Sequence, residues 1–288
     1  MKKQNIFILY DLGISLTALS NLYKFVEEKA IKELIEGNYL EVQFKYQIFT
    51  DKDIELLSSE KELNKSKKTI SDIMRIFNKE KIEYYFYYEE EYPSLLKSIP
   101  KPPFMIFMKG NKELLEANFL CSIVGTRKPS FRTIEMIKEY VKELVRNDVI
   151  TVSGLALGTD IIVHQSTLYN QGKTIAVLPS AINNVIPKKH KPDAERILKN
   201  NGLLISEYYK EDGFNKKNYI DRNRIISGIS QNVIIAECGI SSGTMHTARF
   251  AYKQRKRLFC FDNDSSGIEK IMRSNSAEFY RGIQSLKS

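Results

Sequence analysis

The sequence predicts a doubly wound α/β fold with a mostly parallel sheet, preceded by a small helical domain. From about residue 119 onward, short apolar runs of strand length alternate with longer amphipathic segments, whereas residues 1–80 show helical periodicity and only weak strand signals. Between these regions, Tyr92-Pro93 and the Pro100–Pro103 cluster interrupt regular structure. We therefore expect a helical N-terminal domain at 1–81 and an α/β domain at 82–288.

The helical domain is predicted from two amphipathic stripes. In each stripe apolar residues recur every three or four positions, which places them on one face of a helix. The polar stretch Ser58–Lys68 between the stripes is either a connection or a solvated helix face. The first stripe contains Leu16, Leu19, Leu22, Tyr23 and Val26, and the second contains Ile70, Ile73, Met74 and Ile76.

The α/β domain is predicted from six apolar runs that have the length of buried strands. The segments between them are long enough for helices that connect parallel strands, and such crossovers are right-handed. The expected strands are Phe119–Val124, Val149–Val152, Thr174–Leu178, Leu203–Ser206, Asn232–Glu237 and Leu258–Phe261, and the expected helices lie at 131–147, 157–171, 191–200, 222–230 and 244–256.

The positive charge is concentrated in the second part of the chain. Residues 1–100 carry 15 Lys+Arg against 17 Asp+Glu, whereas residues 101–288 carry 29 against 18. A basic domain favours a polyanionic partner, because each cation that neutralises a phosphate releases a bound counterion. A lysine-rich surface without a partner is the alternative.

Several classes of protein are disfavoured. No apolar run approaches the length of a membrane-spanning helix, and Asp11 ends the first apolar stretch too early for a signal peptide. We therefore expect a cytoplasmic protein without a membrane partner. Cys121, Cys238 and Cys260 are widely spaced and odd in number, so we expect buried apolar residues rather than a disulfide framework or a zinc site.

The histidines give no catalytic or metal site. They are scattered along the chain, at 164, 190 and 246, and do not form a Ser/His/Asp set or a cluster of ligands. Asp160 and His164 are one helical turn apart, and we interpret them as a capping or packing pair.

Small residues and cations collect in the loops that follow the predicted strands. Ligands of parallel sheets bind outside the carboxyl ends of the strands, beside helix N-termini with free N–H groups. We interpret these loops as binding sites for phosphate groups. A cationic segment at the predicted start of a helix is included in the same interpretation. They are Ser122–Lys128, Ser153–Gly158, Pro187–Lys191, Asp221–Arg224 and Ser241–Thr244.

Each loop also has an ordinary structural explanation. The turn at 125–127 can be a simple tight turn, Ser241–Thr244 can cap a helix, and Lys188–Lys191 can be a solvated face. Arg222 and Arg224 can form surface salt bridges, fork towards phosphates or lie against bases, with Asp221 as the helix cap. The convergence of three such loops at one rim favours anion binding.

The stretches SIVGTR, TVSGLALGTDIIVH, GKTIAVLPS, GLLISEY, DRNRIISGIS, IIAECG and SGTMHTARFA together resemble the DNA-processing protein A family (DprA, also called Smf). They occur in the family's order and at similar spacing. Upstream, YPSLLKSIPKPPFMIFMKGNKELL is similar to the segment that leads into the family's Rossmann-like domain. The resemblance covers residues 82–262.

The resemblance implies a bacterial protein with no established enzymatic activity and no cofactor. Such a protein binds incoming single-stranded DNA during natural transformation, forms a homodimer through its Rossmann-like domain and loads the RecA recombinase onto the strand. By motif position, the residues implied to contact DNA are Gly125, Thr126, Arg127, Ser153, Gly154, Lys188, Arg222, Asn223, Arg224, Ser242, Gly243 and Thr244.

This chain departs from the family pattern at several positions. Pro179-Ser180-Ala181 stands where a Gly-x-Gly turn is usual and Ile186 replaces a tyrosine, so we expect no base stacking from that loop. Asp221 and Leu157 replace a common proline and a common cation, which lowers the local positive potential. Asp262-Asn263 replaces Pro-Gly and the chain ends soon afterwards, so we expect no C-terminal winged-helix domain.

Two other functions stay open. A nucleotide-binding sensor or a phosphoribohydrolase-like protein can be built on the same scaffold, and a pure interaction module can have purely structural loops. Related phosphoribohydrolases carry a catalytic glutamate three residues after a Gly-Gly-x-Gly-Thr loop, whereas Thr247 occupies that position after Thr244. We therefore expect a binding protein rather than an enzyme.

Overall fold

The computed structural model describes residues 2–211 and 214–287. By its internal contacts the chain divides into two compact units, residues 1–80 and residues 81–288. Within the described residues, no helix is both long enough and apolar enough to cross a membrane.

The first unit is helical. Leu19, Leu22 and Ile70 of the predicted apolar stripes are fully buried in its core, whereas Leu16 and Ile76 at the margins of the stripes are 52% and 39% exposed. The segment Ser58–Lys68 is mostly helical rather than a connection, because the last helix begins at Glu60. The helices described in this unit are α1 (Lys2–Leu12), α2 (Leu16–Phe25), α3 (Glu28–Glu36), α4 (Tyr39–Tyr46), α5 (Asp51–Ser58) and α6 (Glu60–Glu80).

The second unit is built on a mixed sheet, with nine strands in the described part of the chain. Its strands are β1 (Ile82–Phe86), β2 (Met105–Gly110), β3 (Leu120–Val124), β4 (Ile150–Ser153), β5 (Thr174–Val177), β6 (Leu203–Ser206), β7 (Asn232–Ile235), β8 (Arg257–Cys260) and β9 (Glu278–Phe279). Its α-helices are α7 (Ser94–Lys97), α8 (Phe131–Arg146), α9 (Thr159–Tyr169), α10 (Lys191–Lys199), α11 (Lys216–Gly228), α12 (Thr244–Lys253), α13 (Ser266–Arg273) and α14 (Gln284–Lys287).

The strands lie in the order β1-β2-β6-β5-β4-β3-β7-β8-β9. The seven neighbouring strands β6-β5-β4-β3-β7-β8-β9 pair in parallel. At one edge of the sheet, β2 pairs antiparallel with β6, and β1 pairs antiparallel with β2. The chain builds outward from β3 in one direction and then returns to place β7 on the other side of β3. The point where this direction reverses lies between β3 and β7.

Each face of the sheet has its own apolar core. Cys121 and Ile123 of β3 pack with residues of α8 and α9 on one face. Leu120 and Val124 of the same strand point to the opposite face, where they pack with α11, α12 and α13. Alternate residues of a strand point to opposite faces, and right-handed crossovers in opposite directions place their helices on opposite faces. The predicted doubly wound α/β class is therefore confirmed.

Most of the predicted elements occur with small shifts at their ends. All six predicted strands are present, and the three cysteines are free and buried. Burial raises the pKa of the Cys238 thiol to about 11, so this thiol is neutral at ordinary pH. The predicted helix start at 222 is wrong, because α11 begins six residues earlier, at Lys216. Asp221 therefore lies inside the helix, and Asn215 caps it by accepting a hydrogen bond from the Lys217 N–H.

Candidate nucleic-acid interface

A cavity of about 420 Å³ opens where the loops after β3 and β7 diverge. This is the crevice at the carboxyl ends of the strands, beside the reversal point of the sheet. Loops from β3 and β4 form part of its wall, and α11 and α12 form the rest. The lining residues are Val124, Gly125, Thr126, Arg127, Ala156, Leu157, Asp160, Tyr219, Ile220, Arg222, Asn223, Ser242, Gly243, Thr244 and Thr247.

Thr126 connects three parts of the cavity wall. Its N–H donates to the Glu237 carbonyl after β7, at 2.7 Å, and its carbonyl accepts from the Thr159 N–H and hydroxyl at the start of α9. A Cβ atom on the preceding Gly125 would lie 2.5 Å from the Thr159 hydroxyl oxygen. Only glycine therefore allows α9 to approach this turn so closely.

Arg127 is exposed at the mouth of the cavity. Its guanidinium carbon lies 5.0 Å from the centre of the Tyr219 ring on α11, a cation–π contact. The backbone of Arg127 packs against Gly158, which has a φ of +75° and on which a Cβ atom would lie only 2.4–2.6 Å from Arg127 backbone atoms. A glycine at 158 is thus required on both conformational and steric grounds.

Arg222 also lines the cavity, but its side chain is buried. Its guanidinium donates to the carbonyl oxygens of Gly154 and Val177, at the ends of β4 and β5. A Cβ atom on Gly154 would lie only 2.1 Å from a guanidinium nitrogen, so the glycine makes room for the arginine. Arg222 therefore connects α11 to the carboxyl ends of β4 and β5 through buried hydrogen bonds.

Asp160 is the ionic partner of Arg222. Its carboxylate lies 3.9 Å from the guanidinium, and both side chains are less than a tenth exposed. Burial raises the pKa of the Asp160 carboxyl, although the Arg222 charge acts in the opposite direction. Part of the arginine charge is therefore balanced inside the protein rather than offered at the surface. His164 is not a partner of Asp160; its Nδ1 bonds the Thr174 hydroxyl at 2.7 Å.

The start of α12 supplies hydroxyl groups to the opposite wall. The helix cap is Gly243, without a side-chain capping bond, so the serines before it do not serve as caps. Within the described residues the enclosed Ser242 Oγ has no hydrogen-bond partner, and its polar neighbour is the weakly bonding Cys238 thiol. Asn223 links this loop to α11 by donating to the Gly243 carbonyl at 3.4 Å.

Lys188 lies outside the cavity lining, in a short 3₁₀ turn over Lys188–His190. The turn is attached to the β4 loop, because the buried His190 ring is hydrogen-bonded to the Leu155 carbonyl at 2.8 Å. Lys188 and Lys189 themselves are exposed. Two cations are therefore fixed to a loop of the same strand-end rim.

Arg224 points away from the cavity and has internal partners. Its guanidinium donates to both carboxylate oxygens of Glu207 and to the carbonyls of Lys101 and Asp221. Its side chain is only 15% exposed. Arg224 thus forms the salt bridge that was one of its predicted alternatives. A contact between Arg224 and a phosphate stays a prediction.

The structure brings together most of the residues that the sequence predicted. Eight line the cavity: Gly125, Thr126, Arg127, Arg222, Asn223, Ser242, Gly243 and Thr244. Outside the lining, Ser153 is buried and donates to the Ile123 carbonyl, Gly154 accommodates Arg222, and Lys188 and Arg224 lie as described above.

Two lining residues were missed by the sequence analysis as site residues. Tyr219 precedes the predicted helix start, so its position on the same face as Arg222 and Asn223 could not be seen. Asp160 was interpreted only as a capping or packing residue, although a carboxylate directly after a Gly-rich strand-end loop is a signal for this position.

The family model for DNA recombination-mediator protein A matches residues 83–287. The chain belongs to this family. The resemblance predicted from the motifs is thereby confirmed.

Curated relatives cover the same region. The DNA processing protein DprA of Bacillus subtilis is 33% identical over 192 residues, which are 65% of this chain and 64% of that protein. The protein Smf of Borreliella burgdorferi is 32% identical over 179 residues, 62% of this chain and 56% of the relative. The chain thus spans somewhat over half the length of these relatives.

Two solved structures share the architecture. DNA processing protein A from Streptococcus pneumoniae matches with a TM-score of 0.71 and 25% identity, covering 98% of this chain and 96% of that one. The Helicobacter pylori protein, whose structure was reported for its single-stranded DNA binding mode, matches with a TM-score of 0.62 and 30% identity. That match covers 71% of this chain and 94% of the other.

Proposed function

We propose that this recombination-mediator family member binds single-stranded DNA across the cavity at the carboxyl ends of β3 and β7. The observation that carries the proposal is the exposed guanidinium of Arg127 at the mouth of a cavity that is lined by the first turn of α12. Guanidinium, hydroxyl and helix N-terminal N–H groups are the donors that phosphates accept. The single-stranded DNA binding named for the Helicobacter pylori relative supports this choice of ligand.

Some of the site residues contact the DNA strand, and others hold the loops in position. Arg127, Thr126 and the backbone N–H groups of Gly243 and Thr244 line the cavity and hold a phosphate, and the enclosed Ser242 supports this turn. Lys188, exposed on the same strand-end rim but outside the cavity, contacts the DNA strand further along. The buried Arg222 and Asp160 keep the loops in place without direct contact, whereas a direct contact by Arg224 requires its guanidinium to leave Glu207.

The proposal is tested by fluorescence anisotropy with a labelled oligothymidine. Arg127→Ala is expected to weaken binding roughly tenfold, the factor that corresponds to about 1.4 kcal/mol of lost charge-assisted hydrogen bonding. Lys188→Glu is expected to weaken it as well. Arg273→Ala removes another exposed arginine, on α13 and outside the cavity lining, and serves as the matched control. Unchanged affinity in both site variants refutes the site, and absence of any strand binding refutes the function.

A nucleotide-binding sensor is the second candidate, and the cavity volume favours it. About 420 Å³ falls within the range of roughly 300–1,000 Å³ that small-molecule sites occupy. Micromolar displacement of the oligonucleotide by one mononucleotide, with little effect of the others, supports the sensor. Cleavage is not proposed, because Thr247 lines the wall where related hydrolases carry glutamate.

We further propose that the chain acts as a homodimer that transfers the bound strand to a RecA-type recombinase. Family membership is what supports this step. Sedimentation equilibrium at several protein concentrations tests the dimer. The DNA-dependent ATPase rate of the recombinase on pre-covered single strands, measured with and without this protein, tests the loading activity.

A further inference from the structure

Two aromatic rings lie at the start of α11, Phe214 just before the helix and Tyr219 in its first turn. Tyr219 is partly exposed and lines the cavity, and Phe214 is 37% exposed. The ring centres are 5.9 Å apart and the planes meet at 69°, the edge-to-face arrangement that aromatic pairs prefer. Phe214 therefore braces the Tyr219 ring from one edge.

The face of Tyr219 is directed towards Arg127. The guanidinium lies 5.0 Å from the ring centre, so a planar cation and an aromatic ring stand side by side at the cavity mouth. Tyr219 also precedes Asn223 by one helical turn on α11, and Asn223 is held to the Gly243 loop. The ring is thus fixed next to the predicted binding sites for phosphate groups rather than on a remote surface.

We propose that Tyr219, together with Arg127, forms a stacking site for one nucleobase of the bound strand. The inference rests on the proposed single-stranded DNA binding and identifies the residue that contacts a base. A single strand exposes the π-face of every base, and aromatic rings and arginine planes are the side chains on which such bases stack. With the phosphate at Ser242–Thr244, the adjacent base lies against the tyrosine. The stacking then shows little preference among bases.

The competing explanation is that Tyr219 only positions Arg127. The two roles make different demands on the ligand. A positioning residue affects every strand that carries phosphates, whereas a stacking residue affects only strands that carry bases. An abasic oligonucleotide, which retains the phosphates and has no bases, therefore separates them.

The experiment compares an oligothymidine with an abasic strand of equal length, using residues 1–288 and anisotropy at constant salt. For oligothymidine, Tyr219→Ala is expected to reduce affinity by roughly five- to a hundredfold, the effect of losing one base–aromatic stack. For the abasic strand it is expected to change affinity less than about twofold. Tyr219→Phe keeps the ring and should retain wild-type binding, which also guards against misfolding. Tyr169→Ala, at an 87% exposed tyrosine outside the cavity lining, is the matched control.

The outcomes separate this inference from the function on which it rests. Equal losses on both strands, or no loss on either, overturn the stacking site while strand binding itself still stands. If wild-type protein binds neither strand, the proposed function fails. If Arg127→Ala weakens both strands and Tyr219→Ala weakens only the one with bases, both proposals hold.

Discussion

Asp53 is a buried carboxylate that accepts hydrogen bonds from two loops of the helical unit. It accepts hydrogen bonds from the N–H and hydroxyl groups of both Ser15 and Thr50, at 2.7–3.0 Å. Burial alone would raise the pKa of Asp53, but these bonds outweigh it and hold the pKa below the ordinary value of 3.8. The ionised form is therefore part of the folded state.

This arrangement gives the helical unit a predictable acid sensitivity. Because the folded pKa is depressed, the stabilisation by Asp53 is complete above pH 3.8 and is lost as the pH falls through the folded value. We expect Asp53→Asn to lower the free energy of unfolding by about 1–2 kcal/mol at pH 7, and the difference from wild type to shrink in acid. Urea unfolding at several pH values measures the loss of unfolding free energy at pH 7 and the decrease of this loss in acid. The exposed Asp51→Asn is the control, and an equal effect of the two variants would contradict the assignment.

The Arg222–Asp160 pair makes a second prediction at the residue scale. Arg222→Met leaves a buried carboxylate without its counterion and two carbonyls without donors, so we expect a loss of about 3–5 kcal/mol in unfolding free energy. Adding Asp160→Leu removes the unpaired charge and should recover part of that loss. A double-mutant cycle by chemical denaturation measures the coupling. Strictly additive single effects would show that the two groups do not depend on each other.

At the scale of elements, the loop that carries Arg127 depends on the start of α9. Gly158 has a φ of +75° and a ψ of −122°, a conformation that side chains with a Cβ rarely adopt, and its open side is filled by the Arg127 backbone. We expect Gly158→Ala to destabilise the protein by at least about 1–3 kcal/mol and to weaken strand binding by displacing Arg127. Thermal unfolding and anisotropy measure the two effects.

Gly239 provides the control for this loop. It lies in the loop after β7, and an added Cβ would meet nothing within 4 Å. Gly239→Ala should therefore leave both stability and binding near wild type. If the two variants behave alike, the close packing at Gly158 does not position Arg127.

The parallel strands β3 to β8 were predictable because each is a short apolar run that is buried on both faces, whereas the two-residue parallel strand β9 was not predicted. The edge strands β1 and β2 were not, since their tyrosine- and methionine-rich segments lie beside prolines that suggested a boundary. The first turns of α11 were not predicted, because Lys216–Ile220 lacks apolar periodicity. For the same reason Tyr219 was not predicted as a site residue. The one local signal for that helix start is the Asn215 cap, which the sequence analysis did not use.

The candidate site was predictable to the level of loops but not of individual arginines. Strand-end loops rich in small residues follow from the topology of a parallel sheet, and this rule selected the residues around Gly125 and Ser242. The contacts of Arg222 with Gly154 and of Arg224 with Glu207 join segments that are distant in sequence. No local pattern distinguishes a guanidinium that is neutralised internally from one that faces solvent, as Arg127 does.

At the scale of the whole molecule, the charge follows the division into units. Residues 1–80 contain 13 Lys+Arg and 13 Asp+Glu, so the formal net charge of +9 belongs to residues 81–288, which also contain every lining residue of the cavity. Electrostatic binding of a strand should therefore depend on the second unit. The logarithm of the affinity is expected to fall by about 0.7 per phosphate contact for each decade of salt.

A fragment of residues 81–288 should consequently bind oligothymidine with the same salt slope as the full chain, and with an affinity within about threefold. This unit has its own sheet and an apolar core on each face, which is the basis for expecting it to fold alone. Circular dichroism verifies folding, and anisotropy between 50 and 300 mM salt, ~0.8 of a decade, gives the slope. A slope that is clearly shallower in the fragment would mean that the helical unit contributes phosphate contacts, despite its balanced charge.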